Sequence, residues 1–405
     1  MESRLVRYAR WSLYVTVACL PLYTIRWHYG PLPTTLLETL ILITVALYVV
    51  GRFREGMRSP IRTPYDIPVI LLLVAGVISI FVAKDHIGAL GLYRAYFLEA
   101  VAVFYVAVDL LRRREAIAQL LVAFAAGSCG FAVLNFIVFA QALAVNAVHV
   151  GNAPNALYGD ANYVAMYMEP PLALATGVVI FATSARWRLF GMAWLAITGL
   201  ALLLTFSKGG YLGLVALGLL IVTAVPRWRV PVFIGLVVAA VAVSQVPLVS
   251  DRLVNTYGSI MGRAQVFNAT FAMLRDNPIF GVGLGGYSFK FRGSVPTLYP
   301  HDIWLTFWVE LGILGLIAFC VILFGLLWRG VRGWAAVPFD SRSAYWGSLA
   351  ALIVWTVHGI VDSPYWKNDM SVEFWILAAI QVVIIARSKS VPSPQQREGH
   401  GEGRL

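Results

Sequence analysis

Leu311-Gly312-Ile313-Leu314-Gly315-Leu316-Ile317-Ala318-Phe319-Cys320-Val321-Ile322-Leu323-Phe324-Gly325-Leu326-Leu327-Trp328 runs for eighteen residues without a charged side chain. Extended back to Asp302, it is long and apolar enough to cross the hydrocarbon layer of a bilayer as a helix. Stretches of this kind recur near 11–25, 36–51, 67–83, 91–111, 116–144, 163–184, 189–206, 209–225, 229–248, 302–328, 343–361 and 370–386. Composition agrees. Of the 405 residues, 60% are hydrophobic and 13% charged, about half the charged share of a soluble domain. The reading is an all-α, polytopic transmembrane helical bundle of about twelve spans.

The basic residues orient that bundle. With the N-terminus in the cytoplasm, Arg26, Lys84, Arg94, Lys208, Arg252, Arg263, Arg275, Lys290, Arg292 and Lys367 fall on the outer side, leaving 21 of the 31 Lys and Arg inside. Such a bias is what sets orientation in a membrane, so both termini are expected in the cytoplasm. The net charge of +11 then needs no nucleic acid to explain it. Residues 1–387 read as one transmembrane domain, including a long periplasmic loop over 249–300. Residues 388–405, rich in Pro, Gly, Ser, Gln and Glu, read as a disordered cytoplasmic tail. The N-terminus looks like a signal sequence, but Leu20-Pro21-Leu22-Tyr23 has no small-residue cleavage site. A retained first helix is expected. Cys19, Cys129 and Cys320 lie within apolar spans with no disulfide or metal spacing.

The outer loop opens with a helical pattern. Leu253, Tyr257, Ile260, Ala264, Phe267, Phe271 and Leu274 form one stripe, with Arg252, Asn255, Thr256, Arg263 and Asn268 off it. An amphipathic helix against the bundle or the membrane surface follows, ended by Asn277-Pro278. The next run, Gly281-Val282-Gly283-Leu284-Gly285-Gly286-Tyr287, has neither a preceding strand nor a following Lys-Ser/Thr. It reads as a tight turn close to the bundle, not as a phosphate loop.

Several residues could carry chemistry, and each has a plainer alternative. Lys208, at an outer break between spans, faces a polar cavity or snorkels to the interface. With Arg263 and Arg275 it would form a cationic set suited to a diphosphate; singly, each is a solvated charge. His301 opens a span, where a neutral imidazole could accept a proton or simply cap a helix. Glu310, about 13 Å deeper along the helix, reads as a packing or hydrogen-bonding residue. His358 and Asp362, spaced i and i+4, share a face. They could orient a substrate, support His301, or form a structural pair. Gly159-Asp160-Ala161-Asn162 ends another outer loop, and Glu169-Pro170-Pro171 is expected to interrupt the following span. No cluster has metal-ligand spacing.

Thr205-Phe206-Ser207-Lys208-Gly209-Gly210, Gly262-Arg263, Asn277-Pro278-Ile279-Phe280-Gly281-Val282-Gly283, Pro300-His301-Asp302, Glu310-Leu311-Gly312-Ile313-Leu314-Gly315 and His358-Gly359-Ile360-Val361-Asp362 occur in that order. With a fainter match at Gly159-Asp160-Ala161-Asn162, this set resembles the O-antigen ligase and polymerase superfamily of bacterial envelope proteins. The resemblance implies a polytopic, metal-independent, inverting glycosyltransferase of the inner (cytoplasmic) membrane, without a cofactor. It would move a glycan from undecaprenyl diphosphate to an acceptor glycan at the periplasmic face. It assigns the diphosphate to Lys208 and Arg263 and activation of the acceptor hydroxyl to His301; Arg275, read from the cationic set, would assist. His358, Asp362, Asn162 and Asp302 would support them. The acceptor would be lipid A–core oligosaccharide for a ligase or another lipid-linked repeat for a polymerase. A flippase for lipid-linked oligosaccharide and a non-catalytic scaffold are the readings from other classes. Two departures stand out. Lys208 replaces the family's usual Arg, and Asp302 replaces its usual Asn, which would set a carboxylate beside His301.

Overall fold

A computed structural model of the chain describes residues 3–30, 32–56, 61–148, 153–245, 256–288 and 299–390. Helices dominate: α1 Arg4–Ala18, α2 Leu36–Arg54, α3 Asp66–Val82, α4 His86–Tyr93, α5 Glu99–Leu110, α6 Arg114–Ala144, α7 Ala161–Phe181, α8 Ala185–Leu203, α9 Lys208–Ala224, α10 Arg229–Gln245, α11 Thr256–Asp276, α12 Ile303–Gly333, α13 Arg342–His358 and α14 Asn368–Ser390. A π turn over Arg94–Leu98 joins α4 to α5 as one continuous rod. Each expected span overlaps a helix, with 246–248 of the span expected over 229–248 outside the described residues. Among the described residues, six stretches are long and apolar enough to cross a membrane: 36–54, 86–110, 114–144, 161–181, 303–336 and 368–388. Two shorter apolar helices, α3 and α9, join them.

Three local readings change. The first helix starts at Arg4, capped by the Ser3 hydroxyl accepting from the Val6 N–H, and stops at Ala18. Pro21 lacks the N–H that α-helical continuation needs, so Leu20–Thr24 is a 3-10 turn. The connection into α2 contains a short antiparallel hairpin, β1 Arg26–Tyr29 and β2 Leu32–Thr35, pairing Arg26 with Thr35. It is fixed by a capping box at Thr35 and Glu38, and by Arg94, which bonds the Pro33 carbonyl and Glu38. Finally, α7 is continuous through Pro170 and Pro171, where an interruption was expected. Its face is buried against α13 and α8, and such packing tolerates the two missing N–H groups.

Helix α11 ends at Asp276, before Asn277-Pro278, as read. Its contact face differs. Val266 and Leu274 pack with Tyr287 and Val309, and Thr270 bonds the Tyr287 hydroxyl at 3.1 Å. Phe271 is 52% exposed and Ala264 is exposed. The start of the expected stripe, at Leu253, and residues 289–298 of the loop lie outside the described residues. At the C-terminus, α14 runs to Ser390, three residues into the expected tail. The remainder of the tail is outside the described residues.

The glycine run is a clasp. Gly281, Gly283 and Gly285 have positive φ, and a Cβ on Gly283 would lie 2.4 Å from the Ala83 nitrogen. Glu310, fully buried, accepts from the N–H of Gly285 at 2.6 Å and of Tyr287 at 3.3 Å. The Val282 N–H donates to the Val309 carbonyl and the Ile313 N–H to the Ile279 carbonyl. These bonds cross a break in α12 at Gly312, whose φ of 71° is not helical. Below it, Phe307 stacks on Phe319 with centroids 3.8 Å apart, and Tyr365 fills the adjoining space. The helix that starts beside His301 is thereby clamped from the loop side and from the core.

Candidate active site

The chain turns into α12 through His301 in the left-handed region, at φ 54°. A non-glycine residue there costs about 1–3 kcal/mol and persists only where its surroundings hold it. Here the Ile303 N–H donates to the Gly359 carbonyl at 2.8 Å, tying the start of α12 to the turn after α13. That turn carries Asp362. Its Oδ1 lies 3.1 Å from His301 Nδ1, and the side chains are 6% and 36% exposed respectively. One side of the imidazole is anchored and the other faces out.

The charge state of Asp362 fixes the tautomer. Burial alone would raise its pKa. The hydrogen bond and charge of His301, the charge of His358 and the Ser363 N–H outweigh burial and hold the carboxyl below its ordinary value. Asp362 is therefore a carboxylate that accepts, and Nδ1 carries the proton. In a neutral imidazole bonded this way, Nε2 would carry the lone pair. The Tyr299 ring stands edge-on to the imidazole with centroids 4.9 Å apart, and its hydroxyl donates to that of Tyr163. The Lys367 ammonium sits 3.5 Å from the centre of the Tyr163 ring. Burial lowers its pKa, against the opposing charges of Asp369, Asp160 and Asp362.

Asp302 does not face His301. Its Oδ1 accepts from the Leu305 N–H at 2.8 Å, so it is the N-cap of α12. The carboxylate beside His301 is Asp362, the support that the i, i+4 spacing left open. His358 points elsewhere. Its Nδ1 lies 2.8 Å from Glu169 Oε1, and both side chains are 1% exposed.

The Lys208 motif abuts this pair. Phe206 is left-handed at φ 52°, and the Ser207 hydroxyl caps α9 by accepting from the Gly210 N–H. Lys208 is thus the first residue of a helix, at its positive end. A Cβ on Gly209 would lie 2.3 Å from His358 Nε2, and one on Gly213 would lie 2.3 Å from Glu169 Oε1. Only glycine lets α9 approach so closely. Arg263 comes from the other side. Counting back from Leu274, Thr270 and Val266, it continues the packing face of α11 by one turn. It is half-buried, and its charge acts on His358.

His301 pairs with Asp362, the charge of His358 acts on Asp362 and that of Arg263 on His358, and Gly209 sets the start of α9, which Lys208 opens, against His358. Arg275 does not join them: it is exposed, about 18 Å along α11 from Arg263, where a cation complements the helix C-terminus. Asn162 lies in the first turn of α7, its N–H bonded to the Asp160 carboxylate at 2.8 Å. Sequence reading missed Glu169 as the partner of His358, as well as Tyr163, Tyr299 and Lys367. A carboxylate inside an apolar span was itself a signal for Glu169; the others gave none.

Residues 172–320 match the family model described as O-antigen ligase. The matched segment is thus similar to that superfamily over 149 of the 405 residues. No curated protein matches it. The O-antigen ligase match begins in α7 and ends in the lower half of α12, taking in Lys208, Arg263, Arg275, His301 and Asp302. Asn162, His358 and Asp362 fall outside the matched segment, and only the folded arrangement joins them to it.

Proposed function

We propose that this protein is an inverting, metal-independent glycosyltransferase of the bacterial inner membrane, an O-antigen ligase. It would transfer a glycan from undecaprenyl diphosphate to lipid A–core oligosaccharide; a polymerase would use another lipid-linked repeat. The observation that carries the reading is the His301–Asp362 pair, with Nδ1 anchored on a buried carboxylate and the imidazole partly exposed.

The chemistry follows from that geometry. The acceptor hydroxyl attacks the anomeric carbon while its proton passes to Nε2. Asp362 holds the ring and stabilises the imidazolium that forms. The bond to the diphosphate oxygen breaks on the opposite face, and the developing charge is met by Lys208 and Arg263. Lys208 adds the positive end of α9. Asn162, His358 and Glu169 would shape the pocket rather than exchange protons with substrate. The bundle would cross the membrane about twelve times, with both termini cytoplasmic and this site periplasmic. The 21-to-10 charge split supports that orientation.

The test is reconstitution in liposomes with a defined lipid-linked glycan and, separately, lipid A–core or a second lipid-linked repeat as acceptor. Glycan joined to one acceptor by the wild type, and not by His301→Asn, supports the reading and selects ligase or polymerase. Donor moved across the bilayer with no new glycosidic bond would make the protein a transporter instead.

A further inference from the structure

A second cationic site lies across the bundle from His301. On α2, Glu38 bonds Asn368 beside the turn that carries Asp362. Arg52 lies fourteen residues further along the same helix, about 21 Å away. There a cavity of about 540 Å³ is lined by Arg10, Arg52, Arg112 and Arg113, with Glu55 and Asp109. Both carboxylates are engaged. Asp109 accepts from the Tyr48 hydroxyl at 2.9 Å, pairs with Arg112 at 3.1 Å and contacts Arg52. Glu55 pairs with Arg52 at 2.7 Å and accepts from the Ser3 N–H at 2.7 Å. The lining carries four guanidinium groups and two carboxylates.

Orientation by positive charge explains why arginines gather at this end. It does not require them to close on a single concavity. Guanidinium forks match phosphate oxygens in pairs, and basic pockets between spanning helices on the cytoplasmic side accommodate acidic lipid headgroups. The flanks point to a lipid rather than a soluble anion. Tyr8, Trp11 and Phe53, neighbours of Arg10 and Arg52 in the chain, are 54%, 56% and 82% exposed. Aromatic residues so placed are suited to a membrane interface and to acyl chains.

We propose that this cavity binds the phosphate headgroup of an anionic phospholipid from the adjacent leaflet. The proposal does not depend on the transferase reading. The test uses the purified full-length protein with phosphatidylglycerol, phosphatidylcholine or inorganic phosphate, read by native mass spectrometry and by melting temperature. Phosphatidylglycerol should be retained and should raise the melting temperature with concentration; the other two should not. Arg10→Gln and Arg113→Gln each remove one guanidinium from the lining while leaving Arg52 and Arg112, which pair with Glu55 and Asp109, in place. Each should weaken phosphatidylglycerol binding about tenfold without changing glycan transfer. The control, Arg186→Gln with Arg227→Gln, removes exposed arginines elsewhere and should change nothing. Equal loss in the control would reassign the effect to diffuse charge. Retention of phosphatidylcholine, or inorganic phosphate binding as well as the lipid, would overturn the assignment. So would unchanged binding in both cavity variants.

Discussion

At His301, backbone and chemistry make separate demands. Asparagine tolerates the left-handed region better than most residues, so His301→Asn removes the imidazole while keeping the turn. Transfer should fall about 10²–10⁴-fold with donor binding retained; near-normal turnover would end the base role. Asp362→Asn should also slow transfer, because nothing then fixes the Nδ1 proton. It carries a pH signature as well. The folded-state pKa of Asp362 is depressed, so its partners stabilise the fold above the unfolded value of about 3.9, and that contribution is lost as pH falls through the lowered value. The melting-temperature deficit of Asp362→Asn should therefore shrink as the medium is acidified through that range. Asp302→Asn should leave the pH–rate profile unchanged, since asparagine caps helices as well as aspartate. Asp302→Ala should cost about 1 kcal/mol of stability. Lys208→Ala and Arg263→Ala should each abolish transfer in protein that still inserts, whereas Lys208→Arg should stay active and Arg275→Ala nearly so. Much of this site was legible because charged residues in apolar surroundings advertise themselves. Which carboxylate faced His301 was not. Asp302 is adjacent in sequence but is consumed by its own helix, and Asp362 is brought in from sixty-one residues away.

Among the elements, α11 shows where pattern reading stops. Its end was legible, because Asn277-Pro278 cannot continue a helix. Its contact face was not, because the helix has two apolar flanks and lipid rewards both equally. The Phe267–Phe271 flank is the more hydrophobic, yet Val266, Thr270 and Leu274 make the contact with the bundle. That choice is what turns Arg263 inward. The clasp beyond α11 rests on glycines without substitutes. Gly283→Ala combines a strained φ with a clash against the Ala83 backbone, and should destabilise by more than the ~1 kcal/mol of an ordinary glycine replacement. Thermal unfolding in detergent, with Gly235→Ala as the control because its Cβ would meet nothing within 4 Å, measures the difference. Equal shifts for the two variants would mean the clasp bears little of the fold's stability.

For the whole molecule, helix positions were read well and helix continuity less well. Hydrophobic length marks where a helix runs, but a proline pair inside a buried helix and a glycine break inside an apolar one look the same from composition. Orientation rests on charge alone. Reporter fusions after Arg229 and within 277–298 should give opposite signals, and matching signals would overturn the sidedness of the site. The clasp also limits how this protein can be dissected. Excising the outer loop would strand the Val309 carbonyl, the Ile313 N–H and the Glu310 carboxylate, all of which the loop now satisfies. Each such orphan costs about 1–3 kcal/mol, against a total stability of about 5–15 kcal/mol. A loop deletion that kills activity would therefore report a collapsed helix start at His301, whatever the loop contributes to chemistry. Roles in this protein can be assigned only one side chain at a time.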